Sequence, residues 1–232
     1  MSLSARSVIG SLMTITLSLA ATSCGSEEVP YTPRPAPTVA VSLPPVPNIP
    51  QRPIKSGDAY TVWGASYYLR SRVHNKKVAG EQITVEGYIT KTNLPEAPEC
   101  AVHKGGKADP EDCKPPIPAF WIGESKDAPP KDTIKVLGWA SNFAQLYDAM
   151  EEIDKKKEDA EPMDTFWGNP IPVPIPNVGA KVRVTGRYAT TFTGSSTGTE
   201  ADPIMGLLTY QKLEYLEEPA EKATLPGVKR KE

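Results

Sequence analysis

Histidine is almost missing from this chain: His74 and His103 are the only two in 232 residues. A Ser-His-Asp or Cys-His catalytic group would have to use one of them, and no G-x-S-x-G turn accompanies either. Cysteine is nearly as scarce, with only Cys24, Cys100 and Cys113. There is no C-x-x-C redox pair, and the second close ligand pair of a structural zinc site is lacking. Glycine-rich stretches exist, "KGGK" (104–107) and "TGSSTGTE" (193–200), but neither ends in the G-K-[ST] of a phosphate loop, so both read as turns. An excess of basic charge is absent as well. The segment 58–217 holds 18 basic and 23 acidic residues, a net charge of −5, which opposes a surface built for phosphate backbones. Adjacent acids such as Glu151 and Glu152 read as a solvated helix face. No enzyme signature survives, and neither a metal nor a cofactor is expected.

Proline, in contrast, is abundant, at 25 residues. Nine of these fall in "VPYTPRPAPTVAVSLPPVPNIPQRP" (29–53). Proline fixes φ and removes a donor, so this stretch reads as a semi-rigid, polyproline-like tether. At about 3.1 Å per residue it could hold a domain up to roughly 90 Å from its anchor. The other end, 218–232, is charged, has little to bury and reads as a disordered tail.

Ahead of the tether lies "VIGSLMTITLSLAA" (8–21), preceded by Arg6 and too short to span a bilayer comfortably. The small residues Ala21, Thr22 and Ser23 then precede Cys24. This resembles the lipobox of bacterial lipoproteins. The resemblance implies that 1–23 is a signal peptide, that Cys24 carries acyl chains such as palmitate, and that 24–57 is the lipidated N-terminus and tether. Several chains, each contributing about 0.8 kcal/mol per buried methylene, would hold the protein firmly to a membrane. Gly25 in place of Asp implies the outer membrane. The domain would then meet an oxidising space, on the periplasmic or surface face.

That compartment decides how "CAVHKGGKADPEDC" (100–113) is read. With Cys24 assigned to lipid, Cys100 and Cys113 remain as an even pair closing a polar loop of fourteen residues. A disulfide is expected here, worth about 3 kcal/mol in the chain-entropy model. The rival is a metal site using Cys100, His103 and Cys113 with Asp109 or Asp112.

Between tether and tail the pattern is mostly β. Strands are expected over 59–73, 81–93, 118–125, 133–140, 180–192 and 204–216, the last with a bulge near Gln211. One helix is expected over 141–160, where Phe143, Leu146, Tyr147, Met150 and Ile153 form an apolar stripe. Asn142 with Gln145, or Ser141 alone, caps its start, and Lys155, Lys156 and Lys157 suit its C-terminus. The order from residue 81, three strands, a helix and two strands, with glycines Gly87 and Gly186 where strands must coil, resembles the OB-fold, a five-stranded Greek-key barrel. The fold class implied for 58–217 is mainly β with one helix and an extra N-terminal strand. A β-sandwich is the structural rival.

In an OB-fold, ligands cross the second and third strands, bordered by the loops after the first and fourth. Here those strands carry Phe120, Trp121, Lys135 and Trp139, and the loops are 94–117 and 193–203. Alternation puts Phe120 and Ile122 inward and Trp121 outward, and leaves Trp139 as a second exposed platform. Trp121, Trp139, Lys135, His103 and Lys104 are therefore the candidate ligand contacts. The function expected is that of an envelope lipoprotein acting as a non-enzymatic binding module for a protein or glycan partner. Nucleic-acid binding is the alternative, and a metal-dependent hydrolase using His103 a further one.

Overall fold

The protein is described by a computed structural model in which residues 30–35, 52–156, 159–194 and 198–228 are placed. The expected signal peptide, Cys24 and most of the tether lie outside the described residues. The chain divides into two units, Met1–Asn48 and Ile49–Glu232. Of the first, residues 30–35 carry no helix or strand. The second holds nine strands and two α-helices among its described residues.

The short β1 (Lys55–Ser56) and β2 (Ala59–Thr61) lead into a helix, α1 (Val62–Arg70). The strand expected over 59–73 is thus corrected to a short strand followed by a helix. Thr61 is the reason: its side chain accepts from the Gly64 N–H at 2.9 Å and starts the helix. Val62, Ala65 and Leu69 recur at helical spacing and are buried, while Trp63 and Tyr67, four residues apart, stack with ring centroids 4.9 Å apart.

The long strand β3 (Gln82–Thr92) buries Ile83, Val85 and Ile89 and turns Thr84 and Glu86 outward, as the alternation predicts. On that outer face Glu86 meets Lys181 at 3.1 Å and Arg183 at 3.0 Å. Burial alone would raise the Glu86 pKa, but hydrogen bonds from both cations outweigh it and hold the carboxyl below its ordinary value. β3 is followed by β4 (Phe120–Gly123), β5 (Ile134–Leu137), α2 (Phe143–Lys156), β6 (Lys181–Ala189), the hairpin β7 (Thr191–Gly194) and β8 (Gly198–Ala201), and β9 (Leu207–Glu217).

Helix α2 forms where its stripe placed it, with Phe143, Leu146 and Met150 buried and Asn142 accepting from the Gln145 N–H at 2.9 Å. Seven strands form one mixed sheet in the order β1-β2-β3-β4-β5-β9-β6, with the small hairpin apart. β3 also pairs antiparallel with β6, so the sheet turns back on itself in a partial ring. β5 and β9 are parallel; the other pairs between β3 and β9 are antiparallel.

One register shift on β6 falls between Thr185, opposite Lys212, and Gly186, opposite Tyr210. Gln211 is therefore the extra residue, the bulge expected from the sequence. A Cβ at Gly186 would run into the Thr209 carbonyl, so this close approach needs glycine. Residues 218–228, expected to be disordered, have no helix or strand, yet Ala223 and Leu225 are buried in the main core and Asn177 donates to the Glu221 carbonyl at 3.0 Å. Small apolar residues spaced between charges suffice to pack this segment. Helix α2 is described over Phe143–Lys156, inside the 141–160 expected, and β1, ahead of residue 58, belongs to the same sheet.

Candidate functional site

The long loop between β3 and β4 is tied down at several points, one of them Asp148 on α2, whose carboxylate accepts from the Gly105 N–H at 3.1 Å. Cys100 and Cys113 form a disulfide, with Cα atoms 6.1 Å apart. At the loop base, the buried Asn93 side chain donates to the Ile117 carbonyl at 2.8 Å and accepts from the Ala119 N–H at 2.7 Å. Both hydrogen-bonding ends of the amide are used, so the loop leaves and re-enters the sheet at fixed points. Within the loop, His103 Nε2 lies 2.8 Å from Asp109 Oδ1 and Nδ1 lies 3.0 Å from the Lys104 carbonyl. Both partners accept, so both ring nitrogens donate only when the imidazole is protonated. The backbone hydrogen bond at Lys104, followed by that to Asp109, accordingly raises the His103 pKa.

The buried Asp164 anchors a second wall. Its carboxylate accepts from the backbone N–H groups of Ser141 at 2.6 Å, Phe166 at 3.1 Å and Trp167 at 2.7 Å. One side chain thus fastens the turn carrying Phe166 and Trp167 to the start of α2. The third wall is the β7–β8 hairpin. Glu200 on β8 pairs with Lys135 on β5, which draws the hairpin over the sheet.

These walls enclose a cleft of about 750 Å³, lined among others by Asp109, Cys113, Ile117, Ser141, Trp167 and Glu200. Of its lining, Ile117 belongs to a second apolar cluster with Ala119, Leu137, Phe192 and Leu207, against which Trp121 and Trp167 are packed half-buried. The Lys91 and Lys135 ammonium groups sit 5.3 Å and 5.2 Å from the Trp121 ring centroid. Two buried polar atoms on the cleft residues, the Trp167 indole nitrogen and the Ser141 hydroxyl, have no hydrogen-bond partner among the described residues. Each such group costs about 1–3 kcal/mol.

Of the candidate contacts, Trp121 and Lys135 come together on one face, as alternation predicts. Trp139 is a correction: it is fully buried and packs on Phe120 with ring centroids 5.8 Å apart. Gly138, at φ +82°, ends the extended run of β5, so residue 139 turns into the core instead of continuing the alternation. His103 and Lys104 do not line the cleft; the loop reaches it through Asp109, Cys113 and Lys114. Among the described residues, no three His, Cys, Asp or Glu side chains gather into a metal-binding group, and no helix is long and apolar enough to cross a membrane. Sequence reasoning missed Asp164, Asn93 and Trp167. Asp164 carried a usable signal, an Asp two and three residues ahead of the N–H groups it accepts.

No protein-family model matches the chain, and a comparison with curated proteins returns no match.

Proposed function

We propose that the domain is an OB-fold-like five-stranded Greek-key barrel, β3-β4-β5-β9-β6 with α2 inserted between β5 and β6, that acts as a non-enzymatic binding module on a lipid-anchored envelope protein. The barrel reading is supported by the pairing of β3 with both β4 and β6 and by the parallel β5–β9 pair. Cys24 is the proposed lipid anchor and the outer membrane the proposed location.

The observation that carries the binding reading is the cleft itself. Three walls are each fixed by a dedicated tie, the disulfide and Asn93, Asp164, and the Lys135–Glu200 pair, around a lining that mixes Pro115, Pro116, Ile117, Phe166 and Trp167 with polar side chains. Ligand clefts of a few hundred cubic ångströms, mostly apolar with a few placed polar groups, commonly hold small or extended ligands. Envelope glycans and envelope proteins are the partners offered.

The test uses full-length protein purified from membranes. Tryptophan emission is followed as glycans from the envelope are added, and pull-downs from envelope extracts are compared between the native protein and a Trp167→Ala variant that keeps its melting temperature. A fluorescence change, or a partner lost with Trp167→Ala, is the expected result. Silence in both measurements removes the reading. Mass spectrometry of the same material reports whether Cys24 is acylated.

A further inference from the structure

We propose that His103 is a pH-sensitive tie between the cleft wall and helix α2: the protonated imidazole links Asp109 to the helix, and the neutral imidazole releases it. This coupling is a property of the wall and holds whatever the cleft takes. Three contacts in series make the tie. Asp148 on α2 accepts from the Gly105 N–H at 3.1 Å. The carbonyl of the same peptide unit, at Lys104, lies 3.0 Å from His103 Nδ1. His103 Nε2 then lies 2.8 Å from Asp109 Oδ1, and Asp109 lines the cleft. The Lys104–Gly105 peptide is thus held at both ends, by the helix through its N–H and by the ring through its carbonyl.

Both ring nitrogens face acceptors, so the series is complete only when each carries a proton. Loss of either proton sets a lone pair against the Lys104 carbonyl or the Asp109 carboxylate. Whichever nitrogen gives its proton up, the path from α2 to Asp109 is cut. The surroundings favour the closed form. The hydrogen bond to the Lys104 carbonyl, and then that to Asp109, raise the His103 pKa from its ordinary 6.5, while burial and the Lys107 charge oppose them. From α2, Asp148 reaches Gly105 and Glu151 lies within electrostatic reach of Lys104. The wall is therefore tied in mildly acidic solution and freed as pH rises through the raised value. Residues 106–112 are all exposed, so burial does little to hold them once the ring lets go. The disulfide still closes the ends of the loop, which confines the release to this exposed turn. A ligand that needs the wall in place would bind more tightly below the midpoint than above it.

The experiment is nuclear magnetic resonance of the full chain from about pH 5.5 to about pH 8.5, the range in which histidine titrates. The His103 ring signals should titrate with a midpoint above 6.5. The backbone order parameters of Lys107, Asp109 and Asp112 should fall with that same midpoint, from about 0.85, the value of rigid backbone, toward about 0.6. His103→Gln cannot change its charge, so its order parameters should stay level with pH. His74→Gln removes the other histidine and should keep the native behaviour. Asp109→Asn takes a negative charge from beside the ring and should lower the His103 midpoint. Order parameters that stay level in the native protein, or that fall equally in His103→Gln, overturn the proposal. A His103 midpoint unmoved by Asp109→Asn overturns it as well.

Discussion

At the scale of single residues, His103 shows how a group that resembles a catalyst can be a structural switch. Its ring is held between two acceptors within its own loop. Because the folded pKa lies above the ordinary value of 6.5, the protonated form stabilises the native loop. That contribution is complete below the unfolded pKa and is lost as pH rises through the raised folded value. The difference in melting temperature between the native protein and His103→Gln should therefore be largest near pH 5.5 and shrink toward pH 8.5. A difference that grows with pH would contradict this account. Trp121 and Trp139 mark what a residue-level reading can and cannot see. Alternation placed Phe120, Ile122 and Trp121 correctly, because β4 is regular. Trp139 escaped it, because the left-handed backbone at Gly138 lies one residue past the strand and a glycine does not announce its φ.

Among elements, α2 was legible because stripe and cap agree, whereas α1 was hidden. Its aromatic and β-branched residues favour strands, and only the Thr61 cap with buried positions three and four apart gives the helix away. The β3, β6 and β9 pairings follow the alternation, including the bulge at Gln211. The cleft walls were not legible, since they depend on contacts distant in sequence. Ser141 and Asp164 are 23 residues apart, Lys135 and Glu200 are 65 apart, and no local pattern encodes either contact. Asp164 is the most exacting of these ties. Asp164→Ala would strand three backbone donors and should cost about 3 kcal/mol of stability in denaturant unfolding. It should also loosen the turn carrying Trp167, which would appear as faster exchange of the Phe166 and Trp167 amides. Asp164→Asn, which keeps one acceptor oxygen, should recover part of the loss.

For the whole molecule, the disulfide is the expectation that compartment and cysteine count carried furthest. It closes the loop that supplies one side of the cleft. Replacing Cys100 and Cys113 together by serine should lower stability by about 3 kcal/mol in chemical unfolding, the value for a loop of this length. The remaining core, which does not depend on the bridge, should keep the double variant folded. An unchanged midpoint in urea would show that Asn93, with the Asp148–Gly105 contact, suffices to hold the loop.

Turning the sheet back on itself also settles how it meets its neighbours. Pairing β6 to both β9 and β3 leaves β1 as the margin of the seven-stranded sheet among the described residues. That margin is two residues long, follows Pro53, and carries Lys55 with its ammonium 4.7 Å from the Tyr60 ring centroid. A short, proline-led, charged margin is a poor template for strand addition. Copies of the domain crowded together would thereby be guarded against stacking through this sheet into fibres.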